Sequence, residues 1–594
     1  MPVPPATRPC ESPLMGTACA CCPLQPPREP AMATPLLKVR AEEIIIGAMA
    51  GAIAGTAAAS PALSGLALSL HQAGIADTLR LSFGLANAGV GALGGAWLAA
   101  TQRSIDHVRG VEFLSSPTRA RRALQARERQ LMSPAQRKGE RQGLRIGGIE
   151  LARKREVGHL YLVGLPGAGK TVTLSAVIDQ ARQRGDRVLL HDLKGDYTAQ
   201  LWTENGAALL GPWDSRSVIW DASADVDSPA RTQEFARIVV GEGAKENAFF
   251  YDTAQRLFAG LVQSLPYGWN WRDLYGALIG HPAELVRKAA SKDPQVPIAM
   301  PSFFTGGDIS PAENNILSTL AQRTRWIAQM AAVDSPSRER FSVRAWLQGH
   351  GPALMILNNN PNHQTAAEGL FGSILALAAS VVASADLPEV SADESGTWFI
   401  LDEFPQLGKD SFPHIQKIEE LGRSRGVRVV KALQDESQLT ALVGREKAAP
   451  ILSMQSTKVY CRVSDTTAEA VARRIGQREI RRYQSTADGG ALPGKSAMPD
   501  RQQVINPSDL QGLQETREGI EIVVHIEDAM GKTIQPFGQK APAIAEAFVE
   551  SAAWRDGPQF SLPEPAPEIS HQRESVQVDE DEVSADQDHE GVFP

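Results

Sequence analysis

Cysteine is scarce: there are five in 594 residues, and four of them (Cys10, Cys19, Cys21, Cys22) fall in the first 22, leaving Cys461 alone in the rest of the chain. A disulfide-stapled scaffold is therefore excluded. No His or distant Cys-x-x-Cys pair completes a metal site with the N-terminal cluster, and residues 1–40 show no helical or strand period, so they are expected to be a disordered leader. Positive charge is not in excess either. Lys and Arg number 60 against 68 Asp and Glu, a net charge of −8, which excludes a general nucleic-acid coat and leaves room for a local basic lining. Hydrophobic residues at 43% and charged residues at 22% exclude wholesale disorder.

Charge is missing altogether from two runs, Ile44–Leu70 and Leu81–Thr101. Each is long enough for a hydrocarbon core of about 30 Å, which takes roughly 20 residues. Gly47, Gly51 and Gly55 form a GxxxGxxxG ladder and Gly91 with Gly95 repeats the spacing, which suits close helix packing in lipid. Lys38 and Arg40 precede the first run, and Arg103, Arg109, Arg119, Arg121 and Arg122 follow the second. Two transmembrane helices over 41–101 with both long ends in the cytoplasm are expected. The alternative is a pair of Ala/Gly-rich helices buried in a soluble domain. Residues 102–157 read as a basic juxtamembrane connector, with a helix around Ala120–Met132 that stops ahead of Pro134.

Beyond this point short β-branched runs alternate with helical patterns, the signature of an α/β core with a mostly parallel sheet. Strands are expected at 159–163, 187–191, 217–220, 353–357, 398–401, 427–433, 457–463 and 520–525. From 243 to 349 the apolar residues (Phe249, Phe250, Ala254, Leu257, Phe258, Leu261, then Ile316, Leu320, Ile327, Met330) recur at helical spacing. This predicts an all-α domain inserted between a first core segment (158–242) and a second (350–563). After Pro563 ten acidic residues stand against Arg573 alone, so 564–594 is read as a disordered acidic tail, and the remainder of the chain is nearly neutral.

The chemistry concentrates at Gly164-Leu165-Pro166-Gly167-Ala168-Gly169-Lys170-Thr171, which matches G-x4-G-K-[ST] between an apolar run and a helix. Glycines let the backbone N–H groups turn toward phosphate oxygens, and the helix N-terminus favours the same anion. Lys170 would bridge the terminal phosphates of ATP, and the Thr171 hydroxyl would take a position on Mg²⁺. Thr397-Trp-Phe-Ile-Leu-Asp402-Glu403 supplies the carboxylate pair at a strand end. Asp402 would hold the Mg²⁺ shell and Glu403 would act as general base; a solvent-facing acidic strand end is the alternative. Asp192-Leu-Lys194-Gly195-Asp196 follows another strand and borders the same crevice, or forms a simple turn. Gln434, ending the 427–433 strand, would sense the terminal phosphate or cap a helix.

These blocks, taken in order with Pro212–Val218, Leu401-Asp-Glu-Phe-Pro-Gln-Leu-Gly408, Ala432–Leu439 and Ser453–Gly476, resemble the type IV secretion coupling proteins, TraD/TraG-like relatives of the FtsK/HerA motor ATPases. The resemblance covers about residues 40–540. It implies a RecA-like P-loop ATPase core with an inserted all-α domain, assembled as a homo-hexamer at the bacterial inner membrane. It also implies transfer of single-stranded DNA with a bound relaxase, or of protein, to a secretion channel. Arg423 lies where that family carries a Gly-Arg pair whose arginine reaches a neighbour's nucleotide; an exposed helix-end arginine is the alternative. A short outer loop departs from the family pattern. A DNA motor outside secretion and a nucleotide-gated scaffold without translocation are the rival functions, and between Pro542 and the tail there is no room for a sequence-reading module.

Overall fold

The computed structural model describes residues 105–486, 494–538 and 542–557. The leader, the two spans expected over 41–101 and the acidic tail lie outside the described residues.

Short apolar runs without polar alternation build the centre of the fold, because strands covered on both faces need no polar side. They form one ten-stranded sheet. In chain order its strands are β1 (Glu112–Leu114), β2 (Leu160–Val163), β3 (Arg187–Asp192), β4 (Ala207–Leu210), β5 (Leu354–Asn358), β6 (Thr397–Leu401), β7 (Val427–Leu433), β8 (Thr457–Tyr460), β9 (Gly519–Ile526) and β10 (Ala529–Pro536). Across the sheet the order is β1-β10-β9-β8-β2-β7-β6-β3-β5-β4. All strands from β8 to β4 run parallel. The β9–β10 hairpin is antiparallel beside β8, and β1 pairs parallel with β10. The α/β class with a mostly parallel sheet is as expected.

Helix Lys170–Gln183 covers one face through Leu174, Val177 and Ile178, which pack with Leu160, Leu190 and Ile400. Helix Gln364–Ala383 covers the other through Leu370, Phe371 and Ile374, packed with Leu189, Leu357 and Phe399. Among the described helices, Pro361–Ala383 alone is long and apolar enough to cross a membrane, and most of it is buried inside the domain. A helix hydrophobic on nearly all sides belongs there.

Between β4 and β5 the chain is helical, in segments that include Pro229–Val240, Ala248–Ser264, Trp271–Ile279, Pro282–Ala290, Pro311–Thr324 and Ile327–Val333. The helices begin ahead of residue 243, and the expected strand at 217–220 is not part of the main sheet. Only Ile219–Trp220 is extended, pairing with Arg340–Phe341. The reason is aromatic packing: the Trp220 ring lies 5.4 Å from Trp271 and 5.9 Å from Phe235, so this segment follows the helical core rather than the sheet edge. Leu257, Phe258 and Leu261 are buried as core, whereas Phe249 is exposed.

The basic stretch after residue 105 keeps most of its arginines exposed but buries Arg153 and Arg155. Helix Pro117–Leu131 buries Ala120, Leu124 and Glu128 against β10, where Gly531 comes so close that a Cβ would sit 2.6 Å from that of Ala120. Buried Arg153 below it donates to the Ala392, Gln142 and Glu394 carbonyls, and three other arginines meet carboxylates. Arg155 Nε donates to Glu128 at 2.7 Å, and Arg184 Nη1 donates to Glu156 at 2.9 Å. Fully buried Arg428 lies 3.3 Å from the same Glu156. Burial disfavours the charged form of Arg428, so its guanidinium depends on that partner. Glu156→Ala is expected to cost about 3–5 kcal/mol by stranding a buried cation, read as a large drop in melting temperature relative to an exposed control such as Glu469→Ala.

Candidate nucleotide site

The loop from β2 into helix Lys170–Gln183 is shaped by contacts that tolerate no side chain. The Gly164 N–H donates to the Leu433 carbonyl of β7 at 3.2 Å, and a Cβ on Gly164 would lie 2.6 Å from that of Cys461. Leu165 N–H donates to Arg462 O at 2.8 Å. Gly167 and Gly169 take left-handed φ of 72° and 98°, and a Cβ on Gly169 would meet Ile520 Cδ1 at 2.6 Å. The first N–H groups of the following helix have no carbonyl one turn back, so they point free donors at whatever occupies the loop.

The acid pair arrives from β6, two places from β2 in the sheet. Glu403 adopts a left-handed conformation, φ 48° and ψ 52°, unusual for a residue with a side chain. That bend sets its Oε2 3.6 Å from Lys170 Nζ and its Oε1 3.4 Å from the Gln434 N–H, which donates to it. Burial lowers the Lys170 pKa from its ordinary value, against the pull of Glu403 and Asp402. Burial also pushes Asp402 up to about 6, opposed by Lys170 and assisted by Glu403 and Asp192. Behind the pair, His191 Nδ1 donates to the Asp402 carbonyl at 2.7 Å and Nε2 accepts from Asn359 Nδ2 at 3.1 Å. Burial holds His191 near a pKa of about 4, which keeps the ring neutral in this tautomer.

Loop and acids surround a cavity of about 330 Å³, within the ordinary range for a small-molecule site. Leu165, Pro166, Gly167, Gly169, Lys170, Thr171, Asp402, Glu403 and Gln434 line it. Gly164 and Ala168 support the loop from behind. Arg423 does not reach the cavity of its own chain. It follows helix Phe412–Gly422 ahead of β7, at the end of that strand opposite Gln434, where its charge acts on His159 ahead of β2. Among the described residues no group of three or more His, Cys, Asp or Glu is placed to hold a metal. A Mg²⁺ held by Thr171 and Asp402 would therefore complete its shell from phosphate and water, as this cation ordinarily does.

The wall also includes Lys194, Asp196, Glu515, Ile520 and Phe537. Asp192, by contrast, is turned inward: one carboxylate oxygen accepts from the Thr198 N–H at 2.7 Å and its hydroxyl at 2.8 Å. Glu515 and Phe537 carry no local motif, and only the hairpin's placement brings them here. A larger cavity of about 460 Å³ lies beside helices Trp271–Ile279 and Pro282–Ala290, but its Glu284 and Lys288 satisfy each other at 2.8 Å.

Residues 143–529 match the family described as the type IV secretion-system coupling protein DNA-binding domain. The chain belongs to this family. Coupling protein TraD of Escherichia coli (strain K12) is 24% identical over 388 residues, covering 63% of this chain and 52% of TraD. The chain thus spans about half the length of that curated relative. The bacterial conjugative coupling protein TrwBdeltaN70, unbound, superposes with a TM-score of 0.61 at 20% identity, over 75% of this chain and 96% of that one. TrwB in complex with ADP and Mg²⁺ gives 0.60 at 20% identity, over 75% and 98%. At this identity the likeness shows a shared fold.

A proton and a divalent cation would compete for Asp402 in this site. Its folded pKa lies above the ordinary value of 3.8, so the ionised group destabilises the metal-free fold progressively as pH rises from about 4 through 6. Mg²⁺ binding requires that ionised form. Mg²⁺-dependent nucleotide affinity is therefore expected to fall as pH drops through about 6, and Asp402→Asn should abolish the pH dependence with the Mg²⁺ response, measured by titration at pH 5.5 and 7.5.

Proposed function

We propose that this coupling-family chain is a membrane-anchored, Mg²⁺-dependent ATPase that recruits single-stranded DNA with its relaxase, or a protein, and drives it into a type IV secretion channel. The observation that carries this reading is the convergence of Lys170, Thr171, Asp402 and Glu403 on one cavity. TrwB structures in complex with ADP and Mg²⁺ and with a non-hydrolysable ATP analogue support the choice of ligand, and TraD, a coupling protein, supports the secretion role.

In this reading the loop N–H groups and Lys170 hold the terminal phosphates. Mg²⁺ on Thr171 and Asp402 would supply charge neutralisation. Lys170 pairs with Glu403 at 3.6 Å when nothing separates them; an arriving phosphate competes for the lysine and leaves Glu403 free to take a proton from the attacking water. Arg423 belongs to the neighbouring subunit's site in a homo-hexamer, which accounts for an exposed arginine far from its own cavity. Two spans over 41–101 anchor the ring to the inner membrane through the segment 102–157. The core over 158–242 and 350–563 hydrolyses ATP, the insertion over 243–349 faces cargo, and the tail over 564–594 offers a docking element to basic relaxosome proteins.

Single-stranded DNA is expected to stimulate ATP hydrolysis by the full chain in nanodiscs. Lys170→Ala and Glu403→Gln should each lower turnover by about 100-fold or more, the second while still binding ATP. Wild-type protein that binds ATP yet never hydrolyses it, with DNA and at high concentration, would be a nucleotide-gated scaffold instead.

A further inference from the structure

Charge around the cavity does not balance for a nucleoside triphosphate. Four carboxylates (Asp196, Asp402, Glu403, Glu515) face it against two amines, Lys170 and Lys194. Lys170 is already opposed by Glu403 at 3.6 Å. A triphosphate adds about four negative charges and one divalent cation cancels half of them, so beyond a neighbour's Arg423 a cation from the same chain is favoured on the terminal-phosphate side. Lys194 is the one other cation in the wall. It is exposed and makes no ion pair among the described residues.

Its position suits the terminal phosphate. The sheet order runs β2, β7, β6, β3, so the turn after β3 lies one strand beyond the acid pair as seen from the phosphate loop. The turn itself is clamped. Gly195 is left-handed at φ 74° and packs so tightly on Ala547 that a Cβ would lie 2.7 Å from the alanine's. The Ala547 carbonyl accepts from Asn358 Nδ2 at 3.2 Å. The segment carrying Ala547 is fastened further along, where Ser215 N–H donates to Val549 O at 2.8 Å and Val549 N–H donates to Asp214 Oδ2 at 3.0 Å. A lysine on a mobile loop would lose entropy on meeting a phosphate; this one is presented by a turn already fixed from behind.

We propose that Lys194 binds the terminal phosphate and makes the site discriminate tri- from diphosphate, with the 542–557 segment holding its turn in place. The proposal rests on the reading of the cavity as a nucleotide site. Full-length protein in nanodiscs is titrated with fluorescent ATPγS and ADP in Mg²⁺. Lys194→Ala is expected to lower ATPγS affinity about tenfold or more while leaving ADP affinity within about twofold, and Lys194→Arg should restore the preference. ADP binding serves as the check that each variant is folded. An equal loss for both nucleotides, or no loss for either, overturns the proposal. Lys170→Ala separates the two levels: if it abolishes ATPγS binding while Lys194→Ala is silent, only the role of Lys194 fails. If Lys170→Ala is silent too, the nucleotide reading of the cavity fails.

Discussion

One ion pair shows how the fold makes its site: Lys170 and Glu403, distant in sequence, held 3.6 Å apart. Neither residue reaches the other by local structure. The parallel register of β2, β7 and β6 sets Val163 level with Leu433 and Leu401 level with Lys431, two residues earlier, and a left-handed backbone at Glu403 swings the carboxylate across the intervening strand. The backbone strain is sustained by what surrounds it, since burial leaves the carboxylate few other ways to be satisfied. The His191–Asn359 relay at the Asp402 carbonyl keeps the same peptide from relaxing.

Much of this was legible in the sequence because parallel strands buried on both faces leave an unmistakable trace. Leu160–Val163 and Thr397–Leu401 are almost unbroken apolar runs, Val427–Leu433 is interrupted only by buried Arg428 and Lys431, and the glycine loop and acid pair sit directly at strand ends. The rest was hidden for identifiable reasons. The hairpin strand Gln477–Thr486 is rich in arginine and glutamine, so no alternating pattern marks it, yet it pairs with Gly494–Gln503 along ten residue pairs. Glu112–Leu114 is too short to announce itself and becomes a strand only because β10 offers a free edge. Phe537 and Glu515 enter the cavity wall by tertiary placement alone. Lys194 was in view within its motif, but only the clamped turn says which way its two neighbouring acids part: Asp192 inward, Asp196 toward the cavity.

The stretch ahead of β2 carries mostly exposed basic residues, with Arg153 and Arg155 as interior exceptions. Arginines are ordinarily a surface signal, and composition cannot tell a solvated guanidinium from one that meets Glu128 or Glu156 in the interior. Here the partners come from helix Pro117–Leu131 and from the turn before β2 itself. The basic segment thus ties the first edge of the sheet to its centre instead of serving as a loose tether.

That edge has a mechanical consequence. The chain joins the sheet through β1 at one border, while the helical insertion departs beyond β4 at the other. Nine strand-to-strand steps at about 4.8 Å separate them, roughly 43 Å before twist is counted. The nucleotide loop lies between, nearer the β1 side. With four strand steps to one border and five to the other, a small rotation of the sheet about the loop would move both borders by similar amounts, so the sheet acts as a nearly even-armed beam joining the insertion to the point where the chain enters.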